Sequence, residues 1–326
     1  MRITDMRGVD LNRFQFDYDL TFAVLMQDSD GRTLARFGSH PPEAMSIAGL
    51  KAAMRRVLAL PKGGEDRDPA RGAPRLLEHS RVYRESRMAR EPCAHCHYAN
   101  DVRFRQLRAD GRFRKEMLFQ HPPPETLGLA LEADRCDTVA AVAPDSAAGR
   151  AGIRPGDRVV RVGGAPVITR ADVQNVLDRI PDPGSVRLEV ERAGRTLGFT
   201  LDLPAGWRRH DISWRASAAS IPPTVGIWGE PLAGNAKRAM EIAPDRLALR
   251  VTFLFPGEEW ARTRGGLRLG DVIVAVDGSE LPAMTARQFH SHFRLTHEVG
   301  GTAALTVVRE GRRVNLEVPC LEVREE

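Results

Sequence analysis

Val139-Ala140-Ala141-Val142-Ala143-Pro144-Asp145-Ser146-Ala147-Ala148-Gly149-Arg150-Ala151-Gly152-Ile153-Arg154-Pro155-Gly156-Asp157-Arg158-Val159-Val160-Arg161-Val162-Gly163-Gly164 holds the pattern that decides how this chain folds. An apolar strand runs into a proline turn. A short helix follows and ends at glycine, which takes a left-handed backbone without steric cost. A Gly-Asp turn then feeds a strand of alternating apolar residues that closes in a second glycine turn. The same order returns at Val251-Thr252-Phe253-Leu254-Phe255-Pro256-Gly257 and at Gly265-Gly266-Leu267-Arg268-Leu269-Gly270-Asp271-Val272-Ile273-Val274-Ala275-Val276-Asp277-Gly278. Each copy continues with a helical pattern, at 170–177 and 286–293, and closes with a hairpin, at 186–194 and 304–311. A lone Gly-Asp would carry no information, but a whole order that recurs is an internal repeat.

These residues resemble the bacterial type of PDZ domain, a small β-barrel, over about residues 125–204 and, less closely, 225–320. The resemblance implies that a peptide C-terminus adds as a strand beside an edge strand and next to the second helix. Its carboxylate would sit in a loop of backbone amides built on an apolar-Gly-apolar signature. That loop falls on Leu127-Gly128-Leu129 in the first copy and on Val225-Gly226-Ile227 in the second. Glycine there removes bulk where amides must converge on an anion, and an open strand edge invites augmentation. Val173 and Leu177, one helical turn apart, are expected to line the first pocket, and Phe289 and Phe293 the second. A long insertion between Gly229 and Arg250 sets the second copy apart.

Upstream, residues 17–26 read as a strand, Asp28-Ser29-Asp30-Gly31 as a turn, and residues 32–38 as the returning strand. An apolar-periodic helix over 47–60 should bury Leu50, Met54, Val57 and Leu58. The Gly/Pro/charge-rich run from Pro61 to Pro69 reads as a linker. Beyond it lies Cys93-Ala94-His95-Cys96-His97. Three chemistries share this spacing. Both thiols could add to haem vinyl groups to make covalent haem c, with His97 as proximal iron ligand and Met117, Met88 or His121 opposite. Cys93 and Cys96 could instead cycle as a dithiol. They could also hold zinc with His95 or His97, or form an unligated structural pair. Cys136 and Cys320 fall in strand-like contexts and read as buried thiols.

Across nearly the whole chain the sequence is similar to a planctomycete-type family of thioredoxin-like, PDZ-containing (seleno)proteins. The residues that carry this are 5–11, 16–22, 36–38, the Cys93–His97 motif, Gly206-Trp207-Arg208 and Ile212-Ser213-Trp214-Arg215. The resemblance implies an N-terminally truncated thioredoxin-like domain whose own redox motif lies upstream. The expected fold is therefore α+β: a partial thioredoxin-like α/β segment (1–62), a linker and Cys-x-x-Cys-His segment (63–120), and two tandem PDZ-like small β-barrels with short helices. The barrels occupy 125–205 and 221–322, with a Trp/Arg connector at 206–220.

Composition narrows the function. The 42% hydrophobic residues suffice for packed cores, and the basic excess, 48 against 43, is mostly scattered arginine. A looser basic cluster between Arg81 and Lys115 has few aromatics and no nucleic-acid-binding motif, so no nucleic-acid partner is expected. No apolar run reaches membrane-spanning length, so no transmembrane segment is expected. No Gly-x-Ser-x-Gly nucleophile elbow is present. His290, His292 and His297 could suggest a metal, but His290 and His292 lie two apart on a helix and should face apart, which disfavours it. Trp207 and Trp214 are expected to pack as a wedge that fixes one PDZ copy against the other. The functional expectation is an adaptor for protein or peptide C-termini, associated with a redox or electron-transfer site. The alternatives are a purely structural scaffold and a remnant thiol-disulfide oxidoreductase using Cys93 and Cys96. The abrupt N-terminus suggests a missing upstream export signal and hence a periplasmic or other extracytoplasmic location; taken literally, the start implies the cytoplasm.

Overall fold

The computed structural model describes residues 2–61 and 72–323, so most of the expected linker lies outside the described residues. The chain divides into two compact units, residues 1–210 and 211–326.

The first unit begins with a hairpin of β1 (Val24–Gln27) and β2 (Thr33–Phe37), turned at Gly31, whose φ is +77°. Helix α1 (Ile47–Leu58) follows, capped by Ser46, whose Oγ accepts from the Gly49 amide. Its buried face is made of Gly49 and Ala53, while Ile47, Met54 and Leu58 stay exposed. The expected large apolar face is thus corrected. A Cβ at Gly49 would lie 2.1 Å from Ala133 O, so only the small-residue face permits this close an approach. Short helices α2 (Arg81–Glu85) and α3 (Tyr98–Ala109) carry the segment around the cysteine motif.

The first repeat comes next. It runs β3 (Leu129–Leu131), β4 (Val139–Val142), α4 (Ala147–Ala151), β5 (Arg158–Val162), β6 (Ala165–Pro166), α5 (Arg170–Leu177), β7 (Gly184–Arg192) and β8 (Arg195–Leu203). Among the described residues its strands form a β3–β4 pair and a sheet ordered β6-β5-β7-β8. The glycine positions behave as their chemistry requires: Gly152 ends α4 at φ +89° and Gly156 turns into β5 at φ +88°. Asp157 is almost fully buried. It accepts from the Arg154 amide and binds the Arg192 guanidinium, which also donates to Gly152 O.

The second unit follows a related order, with a helix inserted after its first strand and, among the described residues, no strand counterpart of β6. It contains α6 (Ala216–Ala219), β9 (Ile227–Pro231), α7 (Gly234–Ala239), β10 (Leu249–Leu254), α8 (Glu258–Arg262), β11 (Val272–Val276), α9 (Ala286–Thr296), β12 (Thr302–Arg309) and β13 (Arg312–Pro319). Its strands form one antiparallel sheet ordered β13-β12-β11-β10-β9. Asp271, Arg309 and Gly266 reproduce the Asp157 staple bond for bond. The expectation of two tandem PDZ-like barrels meets a difference in strand pairing between the copies. Here β10 pairs with both β9 and β11, whereas β4 meets β5 of the first repeat only through the single Thr138–Arg158 bridge. Nor do the described residues of the expected thioredoxin-like segment stand as a separate body. The N-terminal hairpin and α1 pack onto α5 and the β3–β4 turn of the first repeat, within one compact unit.

Candidate functional site: the edge of strand β3 and helix α5

Helix α5 is fixed at its start by a reciprocal cap. Thr169 Oγ1 accepts from the Asp172 amide, and Asp172 Oδ2 accepts from the amides of Thr169 and Ile168. β3 lies on the other side of the candidate groove and pairs only with β4, so its second edge is open among the described residues. Gly128 O accepts from the Ala143 amide on the β4 side, and the Glu132 amide donates to Thr138 O on that same side. Strand alternation therefore turns the N–H and C=O groups of Leu129 and Leu131 outward, away from β4.

Gly128 introduces this strand at φ +87°, where a Cβ would sit 2.0 Å from the Ser146 side chain. Its own amide donates to Glu125 O and closes a tight turn over Pro124–Leu127. The loop is thus partly satisfied from within, and the Leu129 amide is the one left facing the open edge. Leu127, Leu129, Val173 and Leu177 are brought together, but as one buried core with Val159 and Leu188. They form the floor beneath the groove.

The flank of α5 beside Val173 and Leu177 is formed by Arg170 and Gln174, only 7% and 8% exposed. Arg170 binds the carboxylate of Glu125 and donates to Ser39 Oγ at 3.0 Å. Gln174 Nε2 donates to His121 O at 3.1 Å, and its Oε1 lies 3.4 Å from Ser39 Oγ. Sequence reasoning missed these residues. Their only signal was the i, i+4 spacing of Arg170 and Gln174, one step around the helix from Val173 and Leu177.

In the second unit Val225, Ile227, Phe289 and Phe293 likewise share one buried core, and Gly226 lies against the backbone of Trp260. The outer edge of β9 is already engaged, because His290 Nε2 donates to Ile227 O at 3.1 Å. Burial pushes the His290 imidazole down to about 3, with Arg294 adding to the effect, so the ring is neutral and its tautomer is set by that carbonyl. Trp207 belongs to the first unit's core, where its indole N–H donates to Pro181 O. Trp214, in the second unit, stacks under the Arg215 guanidinium.

The cysteine motif does not form a haem site. Cys93 is exposed, whereas Cys96 is turned inward with its Sγ donating to Leu20 O at 3.5 Å. His97 Nδ1 is bound to Asp101 Oδ2 at 3.0 Å, which raises the imidazole's pKa. Apolar space beside the motif is filled by Met6, Val9, Leu11 and Tyr18, packed on Ala94, Ala99 and Val102. The N-terminal segment is tied there by the Met6 amide to Ala94 O and by Arg7 to Pro92 O. The two thiols thus sit in different surroundings, one exposed and one bonded to a backbone carbonyl. Met88 is a core residue, and among the described residues no group of three or more His, Cys, Asp or Glu side chains could hold a metal ion. The expectation of covalent haem c at Cys93, Cys96 and His97 is therefore overturned. None of the four cysteines is disulfide-bonded, and Cys136 and Cys320 are buried.

Comparison with known proteins places a family match on the first repeat. A PDZ domain family profile matches residues 138–192. A putative zinc metalloprotease of Rhizobium meliloti is 45% identical over 98 residues, which is 30% of this chain and 25% of that protein. A probable periplasmic serine endoprotease, DegP-like, of Halomonas elongata is 25% identical over 191 residues, 52% of this chain and 36% of its own length. Among solved structures, the HtrA3 PDZ domain bound to a phage-derived ligand shares 36% identity. That match covers 20% of this chain and 60% of that one, at a TM-score of 0.18. The chain thus spans between a quarter and about a third of these two protease relatives. The fold is α+β with one PDZ-like region. Both the thioredoxin-like planctomycete family and the second PDZ domain are corrected by the single profile match at 138–192 and by the similarity to the two proteases.

Proposed function

We propose that this chain binds the C-termini of proteins or peptides, and that it does so on the first repeat. The observation that carries the reading is the open edge of β3. Two outward-facing backbone positions, Leu129 and Leu131, start directly after a glycine whose geometry excludes any side chain. An apolar floor of Leu127, Val173 and Leu177 lies beneath. A peptide added antiparallel to β3 would satisfy the strand's unpaired groups, and its carboxylate would meet the Leu129 amide. The phage-derived ligand named for the HtrA3 PDZ structure is consistent with peptide binding by such a domain. The name of the Halomonas relative supports an extracytoplasmic setting, and no helix among the described residues is long and apolar enough to cross a membrane.

A second reading is favoured by a different observation. Arg170 and Gln174 are buried under residues of the same chain, as a scaffold with no ligand would have them. Fluorescence polarisation on the full chain separates the two. Short peptides ending in Val, Leu, Phe or Ala with a free carboxylate should bind at least about tenfold more tightly than their C-terminal amides, the margin of one charge-assisted hydrogen bond. Equal and negligible binding of acids and amides would establish the scaffold.

A further inference from the structure

We infer that residues 36–46 form a built-in gate across the outlet of the β3–α5 groove, so that peptides longer than a few residues bind only by displacing them; this rests on the peptide-binding reading. The segment is held at both walls. On the helix side, the Arg36 amide donates to Asp172 Oδ1 at 2.9 Å, Thr169 Oγ1 donates to Arg36 O, and Ser39 lies between Arg170 and Gln174. On the strand side, Ser46 Oγ donates to Ala133 O in the β3–β4 turn. Between these anchors Ser39, Ala44 and Met45 close a small cavity with Cys136 and Arg170.

The position of this bridge gives it meaning. A peptide whose carboxylate meets the start of β3 and which runs antiparallel to that strand must leave past the β3–β4 turn. β3 spans three residues, or roughly 10 Å of strand, so about three peptide residues fit before the bridge is met. Three of the parts that close the outlet are small, Gly38, Ser39 and Ala44, with Met45 beside them. Ser39 is held to α5 by polar contacts and not by a large apolar anchor. Such contacts exchange at little cost with those of an incoming strand, since each intramolecular hydrogen bond is worth only a fraction of its gross strength in water.

The test uses the full chain and its Ser39→Ala variant, which removes the contacts to Arg170 and Gln174 while leaving the apolar floor intact. Two probes share the same apolar C-terminal residue and free carboxylate, one of three residues and one of eight. The tripeptide should bind both proteins alike. The octapeptide should bind Ser39→Ala roughly three- to tenfold more tightly than wild type, the scale of one or two hydrogen bonds. Hydrogen exchange at residues 38–46 of the wild type should accelerate when the octapeptide is bound. If the octapeptide binds both proteins equally and exchange at 38–46 is unchanged, the gate is wrong and peptide binding stands. If neither probe binds either protein, both proposals fall.

Discussion

Gly49, Gly128 and Gly156 separate three costs that a glycine can avoid. Gly156 has φ +88° with open space where a Cβ would be, so Gly156→Ala should cost only the left-handed penalty, about 1–2 kcal/mol. Gly128 adds to that penalty a Cβ 2.0 Å from the Ser146 side chain. Gly128→Ala should therefore lose roughly 3 kcal/mol or more, since overpacking adds about 1–3 kcal/mol to the backbone strain. Gly49 lies in a helix, where alanine would ordinarily gain about 1 kcal/mol. A contact of 2.1 Å with Ala133 O reverses that gain, because the backbone carbonyl cannot rotate away as a side chain would. Urea midpoints at constant m-value should rank the losses with Gly128→Ala largest and with Gly49→Ala destabilising despite its helix propensity. A stabilising Gly49→Ala would mean that α1 does not approach the β3–β4 turn this closely.

At the scale of elements, the Asp157–Arg192 and Asp271–Arg309 staples each tie the turn before a strand to a hairpin arm. Burial opposes ionisation of both aspartates, but the arginine bonds and a backbone amide outweigh it, and each carboxyl is held below its ordinary value. Folded values below the unfolded one near 3.9 mean that this stabilisation is complete above that pH. It is lost as the pH falls through the lower folded values. Arg192→Met should leave Asp157 buried without its charge partner and cost roughly 2–3 kcal/mol. Arg309→Met should do the same to Asp271. Hydrogen exchange should accelerate at 184–203 for the first variant and at 302–319 for the second. The penalty should shrink below about pH 4, where the unpaired carboxyl can protonate. A pH-independent penalty would place its origin in the packing of the arginine stem.

For the molecule as a whole, the cysteines report what the fold has done with a suggestive motif. Alkylation of the native chain should label Cys93 first, since it is exposed. Cys96 should follow at least about tenfold more slowly, because burial raises its pKa and its Sγ is turned toward Leu20 O. Cys136, raised to about 11 by burial, and Cys320 should react only on unfolding. Mass spectrometry of partially labelled protein reads the order, and prior labelling of Cys96 would favour the dithiol chemistry. The repeat was legible from residues alone because its signals are local. Glycines at positive φ, Thr169 and Thr285 as helix caps, and the Gly-Asp turns act through their own and adjacent backbone. These determined where strands, turns and helices fall in both copies. The rest depended on what lands beside them. Residues 36–46 cover Arg170 and Gln174 from about 130 positions away, Met6 to Tyr18 fill the space beside Cys96, and the small face of α1 wins over its larger apolar one. No local periodicity encodes which of two surfaces a distant segment will occupy. That choice is made by close packing and by satisfying buried polar groups, and only the assembled tertiary structure determines either.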